Sequence, residues 1–347
     1  MAEYICFVRK DAVIIKPPKK TSIFLRMIVL IFAMICGVYI YSICQNQISS
    51  QHKIQIQHIQ VIGRPSADYN STHLQIPRLH YPNPKTFSRN ECMHNPVRYF
   101  AILSMQRSGS GWFETLLNSH VNLSSNGEIF SVLDRRRNIS SITQVLDKVY
   151  NLDWLTSASK NECSAATGFK WMLNQGVMEH HKDIVNYFNR RGVSVIFLFR
   201  RNLLRRMVSL LANSYDQRAK LLNGTHKSHV HSAEEAETLS GYKPTINSTL
   251  LIADLKMADT ITARVLEYFN TTRHMTLYYE DIIKDRKLAL LQKLKEVQEF
   301  LGLPVMELRS RQVKIHKGPL SDLVKNWEDV NRTLNGTEYE RLLQADY

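Results

Sequence analysis

The sequence predicts an α/β fold: a mostly parallel central sheet flanked by helices in three layers. Two observations carry that expectation. Continuous apolar runs of strand length at 99–103 and 193–199 suit strands covered on both faces. Segments of helical spacing alternate with such runs along the chain. With 347 residues, 44% of them hydrophobic and 22% charged, the chain has enough apolar material for one sizeable core or two domains.

The N-terminus is organised by charge. Residues 1–26 carry Arg9, Lys10, Lys16, Lys19, Lys20 and Arg26 against Glu3 and Asp11. Residues 27–44 contain no charge and, with their flanks, are long enough to cross a bilayer. Only Lys53 is basic in 45–60, so the positive-inside rule predicts a cytosolic tail at 1–26 and a lumenal remainder, a single-pass type II signal anchor. A cleaved signal peptide fits less well, because the basic region is long and no small-residue cleavage site follows the apolar run. Glycosylation sequons begin at Asn70, Asn122, Asn138, Asn223, Asn247, Asn270, Asn331 and Asn335, all after the predicted anchor. Of five cysteines, Cys6, Cys36 and Cys44 fall before or beside the membrane in this topology. Cys92 and Cys163 remain, either as a lumenal disulfide or as two buried thiols.

Residues 45–97 read as a stem. Pro65, Pro77, Pro82, Pro84 and Pro96 interrupt it, and the alternation at 53–62 suits a strand or a mobile stalk. A domain at 98–347 follows. It opens with a strand at 99–103, a glycine-containing loop at 104–111 and a helix from Trp112. Next come a turn carrying Gly127 and Glu128, a helix at 141–150, a strand at 165–171, a helix at 180–190, a strand at 193–199 and a helix at 202–213. The stretch 215–243 is polar, without periodicity, and reads as a surface insertion. A long helix at 250–269, a strand at 274–279 and a helix at 287–301 stopped by Gly302 and Pro304 complete the alternation. A basic loop at 314–318 and a short helix near 321–327 form the tail.

Strand, glycine loop and helix together offer backbone N–H groups to an anion, with Arg107 as a fixed cation. An ordinary βα turn reads equally well from 98–120 alone. A second junction at 199–209 places Arg201 where a buried strand ends, and ligands of open α/β sheets bind there. Two such junctions suit a ligand with two phosphates. Arg205 and Arg206 read as a solvated helix face. The formal net charge of +14 favours acidic partners, yet no nucleic-acid-binding signature occurs, so no nucleic-acid role is expected. No CxxC or HxxxH spacing marks a metal site, so no metal is expected. G-x-x-x-x-G-K-[ST] and Asp-x-Asp are also absent, against a P-loop kinase and a metal-dependent glycosyltransferase.

The paired junctions resemble the PAPS-dependent sulfotransferase family (PAPS is 3′-phosphoadenosine 5′-phosphosulfate), in particular its Golgi-type carbohydrate and nodulation members, over roughly 98–330. Arg107-Ser108-Gly109-Ser110-Gly111-Trp112 matches the loop that binds the 5′-phosphosulfate in that family. Arg201 with Ser209, eight residues on, matches the pair that holds the 3′-phosphate. Tyr279-Glu280-Asp281 and Phe300-Leu301-Gly302-Leu303-Pro304 resemble the family's closing segment. Lys317-Gly318 resembles its basic loop over the nucleotide.

The resemblance implies a P-loop-like sulfotransferase fold in a Golgi membrane protein. PAPS is then the donor, and a glycan or glycoprotein hydroxyl or amine the acceptor. Arg107, Ser108 and the N–H groups of 109–112 would stabilise the leaving phosphate. Glu128 is the candidate general base and His120 its runner-up; a turn acid and a helix-terminal histidine are the plainer readings. Lys170 either orients the acceptor or neutralises the transferred sulfuryl group, or it is a strand-end lysine reaching solvent. Protein-tyrosine sulfation, a metal-independent glycosyltransferase and an inactive glycan-binding protein are the competing functions. An oligomer is compatible with all of them.

Overall fold

The computed structural model describes residues 76–160, 163–283 and 287–344, together with 8–9, 12–13, 27, 30–32 and 34–38. The chain divides into two compact units, Met1–Asn70 and Ser71–Tyr347. In the first, Val8–Arg9 pairs antiparallel with Ala12–Val13, and the described positions between 27 and 38 are helical. Among the described residues no helix is long and apolar enough to cross a membrane. Most of the predicted tail at 1–26, half of the anchor at 27–44 and the stem up to 75, with Cys6, Cys44 and Asn70, lie outside the described residues.

In the second unit six strands form a parallel sheet. They are β1 (Arg98–Ser104), β2 (Leu123–Ser125), β3 (Ala166–Gly168), β4 (Lys170–Met172), β5 (Ser194–Phe199) and β6 (His274–Tyr278). Their order is β2–β3–β1–β5–β6, with β4 also paired to β1. The expected strand at 165–171 is therefore divided around Phe169, but both pieces keep one register against β1, Arg98 opposite Ala166 and Ile102 opposite Lys170. β2 is a strand where the sequence suggested only a turn; three residues are too few to show a period.

The sheet's two faces explain the unbroken apolar runs. Tyr99, Ala101 and Leu103 of β1 join one core cluster with Val195, Phe197 and Phe199 of β5. Phe100, Ile102, Ile196 and Leu198 join the other. The first face is covered by helices Ile139–Tyr150, His181–Arg191, Ser248–Tyr268 and Trp327–Leu334, the second by α1 (Ser110–Asn118) and Lys287–Phe300. The three predicted layers are present.

Two stretches differ from expectation. The last part of the expected stem belongs to the fold: His80 pairs with Val97 and stacks on Tyr99 at 3.9 Å, and Lys85 and Thr86 donate backbone N–H groups to Asp153. The expected insertion is also largely structured. The helix α2 (Leu203–Ala219) runs six residues beyond the expected end, and Ala233–Ser240 is helical with Val230 fully buried before it. Its scarce apolar residues (Val230, Ala236, Leu239) form a small core of their own, too short to show as periodicity. Cys92 and Cys163 lie with their Sγ atoms 3.6 Å apart, beyond the length of a disulfide bond.

Candidate active site

All parallel strands present their carboxyl ends at one edge, and the site forms there. β1 ends at Ser104, and the chain turns into α1 through Arg107 and Gly109, both at positive φ (64° and 84°). Gly109 is the N-cap of α1 and no side chain caps the helix, so the N–H groups of its first turn are presented to the space beyond. The glycines permit close approach: a Cβ on Gly109 would lie 2.3 Å from the Tyr279 ring, and one on Gly111 2.2 Å from the His229 ring. Ser108 is wholly buried, and among the described residues its Oγ has no hydrogen-bond partner. A buried hydroxyl left unpaired beside a helix N-terminus marks a place for a ligand oxygen.

Arg107 connects this loop to the second junction. Its Nε donates to Ser209 Oγ at 2.9 Å, and its Nη1 donates to Ser228 O at 2.9 Å and to Asn213 Oδ1 at 3.4 Å. Burial first, then the neighbouring Arg200 charge, brings its pKa down to about 10, which leaves it a cation at neutral pH. The loop and strand-end motifs are thus parts of one site.

The strand-end arginine at that site is Arg200 rather than Arg201. Arg200 lines the cavity, lies over the Tyr279 ring at 5.1 Å and donates to Arg107 O at 3.4 Å. The Arg201 side chain, 46% exposed, is held by both carboxylate oxygens of Asp281 and stacks over Tyr278 at 4.1 Å. Glu280 accepts the backbone N–H groups of Arg201 and Asn202 at 2.9 and 3.1 Å, and this fixes the turn. Spacing from Ser209 cannot show which of two adjacent arginines faces inward. Arg205 and Arg206 do not form a solvated face either. Arg205 is buried and donates to Gly318 O at 2.9 Å, while Arg206 donates to Gln106 O at 2.9 Å.

Opposite the arginines sits an acid–lysine cluster. Lys170 Nζ lies 3.4 Å from Glu114 Oε2 and 3.7 Å from Glu128 Oε2. Gln175 donates to the other Glu128 oxygen at 2.5 Å, and Glu128 and Lys170 both line the cavity. Glu114 was not foreseen. It is buried in α1 and accepts from Ser125 Oγ at 2.6 Å and Gly127 N at 3.0 Å. Its sequence signal is an acid set among Phe113, Leu116 and Leu117 on the inner side of the helix. His120, the expected alternative base, is not part of the cluster. It is buried, Nε2 lies 3.0 Å from Pro304 O, and Nδ1 accepts from Asn122 N. Burial lowers its pKa, and both ring nitrogens are engaged.

These groups surround a cavity of about 490 Å³, lined also by Ser110, Trp112, Ser209, Tyr279, His229 and His316. Lys317 and Gly318 are exposed and lie outside that lining; the wall comes instead from residues 312–316 of the same loop. Burial, Arg107 and Arg200 lower the His316 pKa to about 4. Among the described residues no group of three or more His, Cys, Asp or Glu gathers as a metal site.

No protein-family model matches the chain. Nodulation protein H of Rhizobium meliloti is 24% identical over 257 residues, covering 72% of this chain and 96% of that protein. Nodulation protein H of Rhizobium tropici is 24% identical over 254 residues, covering 71% and 93%. A crystal structure of a sulfotransferase from Alicyclobacillus acidocaldarius superposes with a TM-score of 0.35 at 13% identity, covering 68% of this chain and 93% of that one. The chain is thus similar to nodulation protein H along nearly that protein's whole length, and it carries a glycine loop at 104–112 linked directly to Ser209.

Proposed function

We propose that this protein moves a sulfuryl group from PAPS to a hydroxyl or amine of a glycan or glycoconjugate. The observation that carries the reading is the Arg107–Ser209 hydrogen bond, which makes the two anion-binding junctions one site beside the unpaired Ser108 hydroxyl. The residues present fit such a donor: among the described residues, Ser108 Oγ and the uncapped start of α1 lack partners that a phosphosulfate would supply.

Sulfuryl transfer resembles phosphoryl transfer, in which positioning and electrostatics do most of the catalysis. PAPS, when bound, supplies the sulfuryl group and a 5′-phosphate leaving group. Arg107, Ser108 and the N–H groups of Ser110, Gly111 and Trp112 hold that phosphate and stabilise its growing charge. Arg200 and Ser209 bind the more distant phosphate. Glu128 takes the acceptor's proton on an oxygen that faces Lys170, while Gln175 holds its other oxygen. Lys170, as a cation, faces the transferred group.

The same reading places the domain in the Golgi lumen, behind a single-pass type II anchor at 27–44. It is supported by the basic residues before that stretch and by the sequons after it. Asn138, Asn223, Asn247, Asn270, Asn331 and Asn335 are all exposed.

Calorimetry in EDTA with 3′-phosphoadenosine 5′-phosphate, ATP and a nucleotide sugar tests the donor. Tight binding of the first alone is expected, and its failure to bind overturns the assignment. Transfer of labelled sulfate from PAPS to a panel of glycans and tyrosine peptides tests the acceptor, and labelling of peptides alone would replace the glycan reading.

A further inference from the structure

The stretch expected to be a surface insertion builds one wall of the cavity. His226 Nδ1 meets Asp216 Oδ2 of α2 at 2.5 Å, and its Nε2 meets Ser228 Oγ at 3.1 Å. Ser228 O accepts from Arg107 at 2.9 Å. Val230 is fully buried, and its carbonyl accepts from Val313 N at 3.0 Å. Residues on both sides of His229 are thereby pinned to three other segments. The ring of His229 fills the place a Cβ on Gly111 would take at the start of α1, with Nε2 and Cε1 nearest that place.

We propose that His229 is an anion-contact residue, and that its imidazole takes up a proton when a ligand bearing phosphate or phosphosulfate seats on the loop at 104–112. The proposal rests on the nucleotide-binding reading above and adds a residue and a proton to it.

Arg107 and Lys170 line the same cavity as the ring and act on it as positive charges, and His231 lies on its own segment. Arg200, Lys314 and His316 line the same cavity, and the one lining carboxylate, Glu128, is already engaged by Lys170 and Gln175. In this setting an imidazolium would be a desolvated cation among cations. Burial first, then Lys170, Arg107 and His231, lower the His229 pKa to about 4, so the ring is neutral at pH 7 without ligand. An incoming dianion reverses the sign of the local field. The protonated ring then offers two N–H donors where the neutral ring offers one. The part of the affinity that His229 contributes must rise as pH falls through the window between its unliganded and liganded pKa values, because the ring binds more proton in the complex than in the free protein.

The test uses the full chain in detergent, with 3′-phosphoadenosine 5′-phosphate as probe. Calorimetry at pH 6.5 in two buffers of different ionisation enthalpy counts the protons taken up on binding. Titration of the probe's own phosphates is common to all variants and cancels between them. Wild type is expected to take up about half to one proton more than His229→Asn, and the affinity gap between them should widen as pH falls from 7.5 to 6. His229→Gln serves if the Asn variant does not fold. Loss of measurable binding in a variant that is still folded by circular dichroism also supports the contact. Equal proton uptake in wild type and variant overturns the proposal, as does uptake abolished by His316→Asn but not by His229→Asn. If wild type itself binds no 3′-phosphoadenosine 5′-phosphate, the nucleotide reading falls rather than this one alone.

Discussion

Arg107 Nε donates to Ser209 Oγ across 2.9 Å, joining the loop after β1 to the helix after its neighbour β5. One guanidinium thereby belongs to both anion-binding motifs, and its remaining donors hold the segment that carries His229.

Replacing Arg107 should therefore damage binding more than replacing its partner. Hydrogen bonds to charged groups contribute about 1.5–3 kcal/mol, so Arg107→Ala should weaken 3′-phosphoadenosine 5′-phosphate binding by about a hundredfold. Arg107→Lys keeps the charge but loses the fork and should fall in between. Ser209→Ala removes one neutral acceptor and should cost about tenfold or less. Calorimetric titration of the three variants checks the order.

Arg200 and Arg201 give opposite expectations. Arg200→Ala should weaken nucleotide binding, because that side chain lines the cavity. Arg201 makes a partly exposed ion pair with Asp281, of a kind worth about 0–1 kcal/mol, so Arg201→Ala should leave affinity within about threefold of wild type. The reverse result would restore the assignment made from spacing.

Glu128→Gln should bind nucleotide as wild type does, while transfer falls by about a hundredfold or more. Glu114 separates two effects. Glu114→Gln keeps an acceptor for Ser125 and Gly127 but removes the carboxylate facing Lys170, whereas Glu114→Ala removes both. Transfer rates should rank wild type, then Gln, then Ala. The Ala variant should show the larger drop in melting temperature, since it alone also leaves the Ser125 hydroxyl and the Gly127 N–H without their acceptor, at about 1–3 kcal/mol for each buried unsatisfied group. Equal transfer by wild type and Glu114→Gln would remove the charge on Glu114 from the mechanism.

The unliganded protein should lose stability in mild acid. His229 and His316 have folded pKa values of about 4, below the unfolded value near 6.5. Between those values the unfolded chain binds more protons. Their contribution is therefore complete above pH 6.5 and declines as pH falls towards 4, by at most about 1.4 kcal/mol per pH unit for each group. Thermal melts at pH 7, 6 and 5 read the slope. A shallower slope in the His229→Asn, His316→Asn double variant is expected, and an unchanged slope would count against their neutral state in the fold.

Cys92 and Cys163 should join under oxidising conditions. Their sulfurs are 3.6 Å apart, so closing to a disulfide needs a movement of about 1.5 Å. The two thiols would pass two electrons and two protons to a thiol–disulfide oxidant. Peptide mapping without reduction, on protein made through a secretory pathway, should find the two peptides linked. Alkylation of both thiols before reduction would refute it.

Local pattern accounts for most of the architecture. The unbroken run at 193–199 and the alternating helices specify a covered parallel sheet, because a strand buried on both faces has no polar side to show. The glycine loop with Arg107 specifies an anion cradle, since its geometry is set within a few residues of backbone. Direction and pairing of side chains are another matter. Arg200 and Arg201 are adjacent and chemically identical. Glu280, some 80 residues later, sets the turn from which one faces the cavity and the other Asp281. Glu114 acquires meaning only when Lys170 comes within 3.4 Å of it, and His229 only when Asp216, Arg107 and Val313 pin its segment across the start of α1. Most of those contacts join residues far apart in the chain, and composition and period carry no term for them. The sequence reads out which chemistry is available at the strand ends, while the long-range packing selects which side chains deliver it.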